Sequence, residues 1–433
     1  MTRLWKRVRA HARRLAGFTL VELMVAVTGG LFVSMAVFML AKQASGLYQS
    51  ETRMSNATLG SMVGFERLRL DLMRAGYLAA PNLRGNLQKL CGPPDPSWPK
   101  MIQNMQALLI QKTGSLPQLL QDNGIHPDEI TLTGSYGGNE QFDASSITLQ
   151  GGNVVVTLDM TQPLLNLHYQ DPPNAGDTTA QTKLLASVFG LGRALRIVTD
   201  DGLEQYGTID AVAGGPTPTI TLGSNPAIQF ASTSGGLHCG VSGNGGASHH
   251  LVNVVNFVKY SLRNLSDAVT YPQYAPLYQP PNIPNPPPID TMRTELVREE
   301  LDVNGVTISG TEEVVAEYAV DLEFGLVVSN VVTANGFSSP IEQLGAISPG
   351  NAAVLKWAGL PTELGVNQGP QAVRAVRARL SVRSVEADRM GGLGDGGALY
   401  RFGTGPGATP PFARVRTMQA DVATRNLRGI TWR

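Results

Sequence analysis

From Phe18 to Ala41 every position is apolar or small except Glu22, whereas the residues before it carry Arg3, Lys6, Arg7, Arg9, Arg13 and Arg14 and no acid. As a helix this run of 24 residues is about 36 Å long, enough to cross a bilayer core of about 30 Å. The basic flank predicts a cytoplasmic start, with everything after Lys42 on the far side of the membrane. An ordinary secretory signal fits less well. The apolar run is longer than a usual signal core, and Lys42-Gln43-Ala44-Ser45-Gly46-Leu47 offers no good small-x-small cleavage site. The carboxylate of Glu22 needs a partner, since a charge in a membrane helix costs about 2.5 to 3.5 kcal/mol at the centre and less toward the interface.

Past Lys42 the pattern becomes amphipathic. Leu59, Met62, Val63, Leu70 and Met73 recur by threes, fours and sevens, with Phe65 and Leu68 beside them, which predicts a continuing helix that packs one face against a sheet. Gly76 and Pro81 end it. The expected helix therefore runs from Phe18 to Ala75, 58 residues and roughly 87 Å.

Downstream the period shortens to two. Ile130 to Thr133 and Ile147 to Leu158 read as strands, the second broken by a hairpin turn at Gly151-Gly152-Asn153. Ala194 to Val198 and Tyr206 to Val212 flank a second turn, Asp200-Asp201-Gly202. Tyr318, Val320, Leu322, Phe324 and Leu326 alternate with more polar residues. Val376, Ala378, Leu380 and Val382 alternate with Arg377, Arg379 and Arg383, which predicts one dry and one wet face. Phe412 to Val422 is a last strand-like segment. Eight prolines between 271 and 288 predict an extended linker that divides the soluble part, and Gly391 to Pro411 is a second Gly/Pro-rich loop.

Gly17-Phe18-Thr19-Leu20-Val21-Glu22, set between basic leader and apolar run, resembles the class III signal of type IV pilins and pseudopilins. The resemblance implies cleavage by a prepilin peptidase between Gly17 and Phe18, N-methylation of Phe18, and pairing of Glu22, fifth in the mature chain, with the terminal amine of a neighbouring subunit. Gly29-Gly30 supplies the weak point where many major pilins have a proline. The implied fold class is α+β: a long N-terminal pilin helix, membrane-spanning in its first half, packed on a β-rich, elaborated head. Asp71-Leu72-Met73-Arg74-Ala75-Gly76-Tyr77, the Gly305-Val306 turn and Thr424-Arg425-Asn426-Leu427-Arg428 are similar to PilW-type minor pilins.

The expected organisation is a leader over 1–17, a membrane and filament-core helix over 18–41 and its amphipathic continuation over 42–75. A β-rich head follows over 76–270, then a proline-rich linker over 271–289 and a second part of the head over 290–433. The function implied is that of a minor pilin in filament initiation or assembly and tip adhesion, with the prepilin peptidase, other minor and major pilins and the inner membrane as partners. A J-type pseudopilin of type II secretion shares every N-terminal feature and is the alternative. A membrane-tethered periplasmic enzyme or binding protein is the remaining one.

Charge and chemistry narrow this further. Basic and acidic residues number 34 each, so removal of the six leader cations leaves the mature chain near −6, not the balance of a nucleic-acid binder. Cys91 and Cys239, the only cysteines, are a candidate disulfide in an oxidising compartment, against the alternative of two buried free thiols. Gly392-Leu393-Gly394-Asp395-Gly396-Gly397 matches the dinucleotide glycine spacing, but no strand leads into it and no helix can open from it. His238-Cys239 with His249-His250, and Asp200, Asp201 and Asp210, have ligand chemistry. Their spacing matches no zinc module, and acids are ordinary in turns. The sequence predicts neither a cofactor nor an active site.

Overall fold

The computed structural model describes residues 19–83, 87–112, 123, 125–138, 140–161, 175–199, 201–231, 240–241, 250–266, 271–278, 293–328, 342–343, 373–385, 399–401 and 412–427. The chain forms two compact units, the first ending at Asn56 and the second beginning at Ala57. In the first, the described residues from Leu20 onward are helical and belong to α1, Leu20–Arg74, whose remaining residues belong to the second unit. Side chains from Leu20 to Gly46 are all exposed, and this stretch is long and apolar enough to cross a membrane.

The second unit is β-rich. After α1 come α2 (Lys100–Gln103), β1 (Leu108–Lys112), β2 (Asp128–Gly134), β3 (Phe142–Gln150), β4 (Asn153–Leu158) and α3 (Thr178–Val188). Then follow β5 (Ala194–Val198), β6 (Glu204–Ala213), β7 (Thr219–Leu222), β8 (His250–Arg263), α4 (Ala275–Tyr278), β9 (Glu295–Leu301) and β10 (Glu313–Ala316). The last strands are β11 (Ala319–Val328), β12 (Glu342–Gln343), β13 (Val373–Arg383), β14 (Leu399–Arg401) and β15 (Phe412–Ala423).

The long strand β8 serves two sheets. Its first residues pair with β3 on one side and β5 on the other, and the ladders β3–β4, β4–β7, β7–β6 and β6–β5 close the path into an antiparallel ring of six strands. From Asn256 onward β8 pairs instead with β2 and β9, in an open sheet of order β1-β2-β8-β9-β10. Alternation explains the ring: Phe142, Ile147, Val156, Leu195, Ile209 and Leu222 fill its interior. Asn253 and Asn256 hold the changeover, because Asn253 Nδ2 donates to the Leu78 carbonyl (2.8 Å) and Asn256 Oδ1 accepts from Tyr136 N–H (3.0 Å). A further sheet, β12-β11-β13-β15-β14, shares a core with the open sheet and with Phe65, Leu68 and Leu72 of α1.

Several strands fall where the alternation placed them, including the β3–β4 hairpin, in which Gly151 and Gly152 take φ values of 59° and 89°. Elsewhere the structure departs from the alternation pattern. The proline-rich segment joins β8 and β9, which are adjacent strands of one sheet, so the sheets do not divide there, and its first residues form helical turns from Pro272 to Tyr278. Leu399–Arg401, inside the second Gly/Pro-rich stretch, is a strand paired with β15. Helix α3 has no counterpart in the strand pattern; Asp177 caps it by accepting from Thr179 and Ala180 N–H, and Leu185 and Phe189 pack into the ring core. Arg383 lies opposite the dry face of β13, as expected, yet it is fully buried. Its guanidinium stacks on Tyr318 and Tyr400, with ring centroids 5.0 and 5.4 Å away.

Tyr318 is itself a corner and not a strand residue. It has φ of 55°, and an irregularity between Ala319 and Asp321 turns Val320 toward Tyr400 and Ala413, whereas Leu322, Phe324 and Leu326 face the main core. A left-handed conformation costs a non-glycine residue on the order of 1–2 kcal/mol. Stacking of its ring against Arg293 (4.2 Å) as well as Arg383, and donation of its N–H to Glu295 Oε2 (2.8 Å), offset that strain.

Candidate assembly helix

Gly17 and Phe18 lie outside the described residues. Glu22, in the first turn of α1, is engaged locally. Its Oε2 accepts from the N–H and the hydroxyl of Thr19, each at 2.9 Å, and Thr19 Oγ1 accepts from Glu22 N–H at 3.2 Å. This reciprocal pair is a capping box, which satisfies amides that the start of a helix leaves without intrahelical partners. Thr19-x-x-Glu22 is the sequence signature of that motif, a signal the reading of Glu22 as a subunit contact passed over. Around it the helix exposes Leu20, Val21, Met24, Val25, Phe32 and Phe38.

The part of α1 in the second unit has a buried stripe made by Ser61, Phe65, Leu68, Asp71 and Leu72, which Ala75 continues just past the helix end. Its spacing of three and four is that of one helix face. Gly64 lies on the same side because the helix passes β10 so closely that a Cβ there would sit 2.7 Å from the Val315 carbonyl oxygen. Leu59, Met62, Val63 and Leu70 face outward, Val63 being 71% exposed. The periodicity therefore identified the helix correctly but grouped outward residues with inward ones, since spacings of three, four and seven are shared by neighbouring stripes.

Asp71 is the single acid on the buried stripe and is 3% exposed. Its Oδ2 accepts from Arg298 Nε (2.7 Å) on β9 and from Tyr260 OH (2.8 Å) on β8, and its own carbonyl accepts from Tyr136 OH at 3.2 Å. Burial, with Asp71 next in weight, pushes the Tyr260 hydroxyl far above the usual phenol range, so it stays a donor. The helix end is tied as well: Gly76 N–H donates to Thr133 O (2.8 Å), and Asn426 Nδ2 to Met73 O (3.0 Å). Gly76 has φ of 76°, and a Cβ there would meet Leu427 at 2.8 Å. Three neighbouring features of Asp71–Tyr77, the buried acid, the tight glycine and the turn, thus each have a structural task.

The remaining candidates are described only in part. Cys91 is disulfide-bonded, and Cys239, the other cysteine of the chain, lies outside the described residues. His238, His249, Asp200 and the segment Gly392–Gly397 also lie outside them. Asp201 sits in the β5–β6 turn, Asp210 is exposed on β6, and His250 is buried at the start of β8. Among the described residues no group of three His, Cys, Asp or Glu side chains comes together to hold a metal ion. Comparison with protein families, with curated proteins and with solved structures gave no match to this chain.

Proposed function

We propose that this chain is a minor pilin of a type IV pilus. It is cut between Gly17 and Phe18 by a prepilin peptidase, held in the inner membrane by the first half of α1 with its C-terminal head in the periplasm, and then built into a filament beside other minor and major pilins. Its work is mechanical and organisational, without an enzymatic step.

The observation that carries this reading is the division of α1. From Leu20 to Gly46 the helix buries no side chain, whereas from Ser61 it is the spine of a β-rich body. An unbroken apolar surface of this size is far larger than soluble bodies leave to water, so it calls for lipid first and for similar helices on leaving the membrane. Glu22 then has two tasks: it caps α1 through Thr19, and it offers a carboxylate to the terminal ammonium of a neighbouring subunit in a low dielectric.

Glu22→Ala tests the reading, because Ala keeps the helix and removes a charge from the membrane span. Expected are normal cleavage and normal inner-membrane abundance, with reduced recovery in sheared filaments. Wild-type recovery in filaments at equal membrane levels would remove the assembly role of Glu22.

A further inference from the structure

An apolar helix face does not by itself define where a helix sits along its axis. Along α1 and into Ala75, just past its end, the buried positions Phe65, Leu68, Leu72 and Ala75 repeat by three and four, so a slide of one turn, about 5.4 Å, brings mostly apolar groups against apolar groups again. Asp71 breaks that equivalence. In the observed position its carboxylate meets Arg298 Nε at 2.7 Å and Tyr260 OH at 2.8 Å, donors from two adjacent strands. One turn away, in either direction, the same carboxylate would be buried without them, and Arg298, itself 7% exposed, would lose its partner. A buried ion pair adds little net stability over apolar groups of similar size, but a broken one is strongly unfavourable, which makes such a pair a selector of register.

We propose that Asp71, Arg298 and Tyr260 form a register lock, which fixes the axial and rotational position at which the head grips the second part of α1. These are positioning residues. A second charged contact of this stretch with the sheet, Arg67 with Glu313, is longer at 3.5 Å and about half exposed on both sides, and so selects register weakly. Gly64, where a Cβ would sit 2.7 Å from the Val315 carbonyl oxygen, closes the one-turn slide that brings Leu68 to that place and leaves open the opposite slide, which brings Gly60 there. The inference concerns geometry inside the second unit and holds whether or not the chain enters a filament.

The test separates register from stability. In detergent-solubilised full-length protein, Asp71→Leu combined with Arg298→Met replaces both charges by apolar groups and leaves no charge unpaired. Expected is a melting temperature within a few degrees of wild type, together with hydrogen exchange over residues 61–75 that is at least about tenfold faster and resolves into two populations, one for each seat. A purely structural role would change the melting temperature and keep one population. Should that variant not fold, Asp71→Ala with Arg298→Met, which likewise leaves neither charge nor hydrogen bond between the two positions, carries the same test. A single slow population like the wild type's, in either folded variant, overturns the proposal.

Discussion

Glu22 and Asp71 stand on the same helix, each the one acid of its face, and they are satisfied in opposite ways. Glu22 finds its donors three residues back, at Thr19. Asp71 finds its donors 189 and 227 residues onward, at Tyr260 and Arg298. The apolar stretch Leu20–Gly46 of α1 buries no side chain, and the one stripe of the helix that is buried encloses a carboxylate. Apolar content alone therefore says little about what a helix packs against inside its own chain. A partner supplied by the local turn is kept when the surroundings change, whereas a partner supplied by the tertiary fold ties the acid to one arrangement of strands.

The largest expected difference between the two follows from removing each acid alone. Asp71→Leu leaves Arg298 buried and unpaired and is expected to cost about 3–5 kcal/mol of head stability, read by chemical denaturation. A loss below about 1 kcal/mol would mean that Arg298 finds another partner and that the contrast with Glu22 is overdrawn. Next in size is the contrast between the two faces of the same helical turn. Leu72→Ala, fully buried, is expected to cost about 2–5 kcal/mol, and Leu70→Ala, 45% exposed, at most about 0.5 kcal/mol. Equal costs would contradict the assignment of the buried stripe.

A third acid sharpens the comparison through pH. Glu295 at the Tyr318 corner is buried, and burial outweighs the attraction of Arg293 beside it, so its carboxyl is pushed up to about 7. Folded protein then holds a proton that the unfolded chain has released from about pH 4.5 upward. The group's contribution to stability is present below that pH and is lost as pH rises through about 7. Glu295→Gln is expected to melt higher than wild type at pH 8, with the advantage shrinking toward pH 5. An advantage that grows on acidification would show that the ion pair with Arg293 dominates instead. The smallest effect belongs to Glu22→Ala, which gives up one half of the capping box while Thr19 Oγ1 still accepts from the N–H of residue 22, and is expected to leave the melting temperature of the head unchanged.

Much of this architecture was legible in the sequence because it rests on periodicity. The single charge between Phe18 and Ala41, the stop at Gly76 and the alternation of Val376, Ala378, Leu380 and Val382 each have one simple structural solution. The parts that were not legible depend on distant pairs. Nothing local to His250–Arg263 announces that one strand leaves a ring and enters an open sheet at Asn256, since both halves are largely buried and the partners of Asn253 and Asn256, Leu78 and Tyr136, are distant in sequence. Arg383 reads as a wet-face residue until Tyr318 and Tyr400 arrive from other strands. Proline density between 271 and 288 marked a connection correctly but said nothing about whether its ends lie in one sheet or two. At the candidate site, the chemistry of Glu22 was legible from Thr19-x-x-Glu22, and the lock at Asp71 was not, because its partners lie on β8 and β9.

Mass spectrometry of the mature N-terminus in its native envelope decides between processing as a pilin, which we propose, and a plain membrane anchor. A chain beginning at N-methylated Phe18 is expected, with Gly17→Val blocking that cut. A mature protein that begins at Met1, or that is cut beyond Ala41 so that the apolar helix is lost, would contradict the proposal.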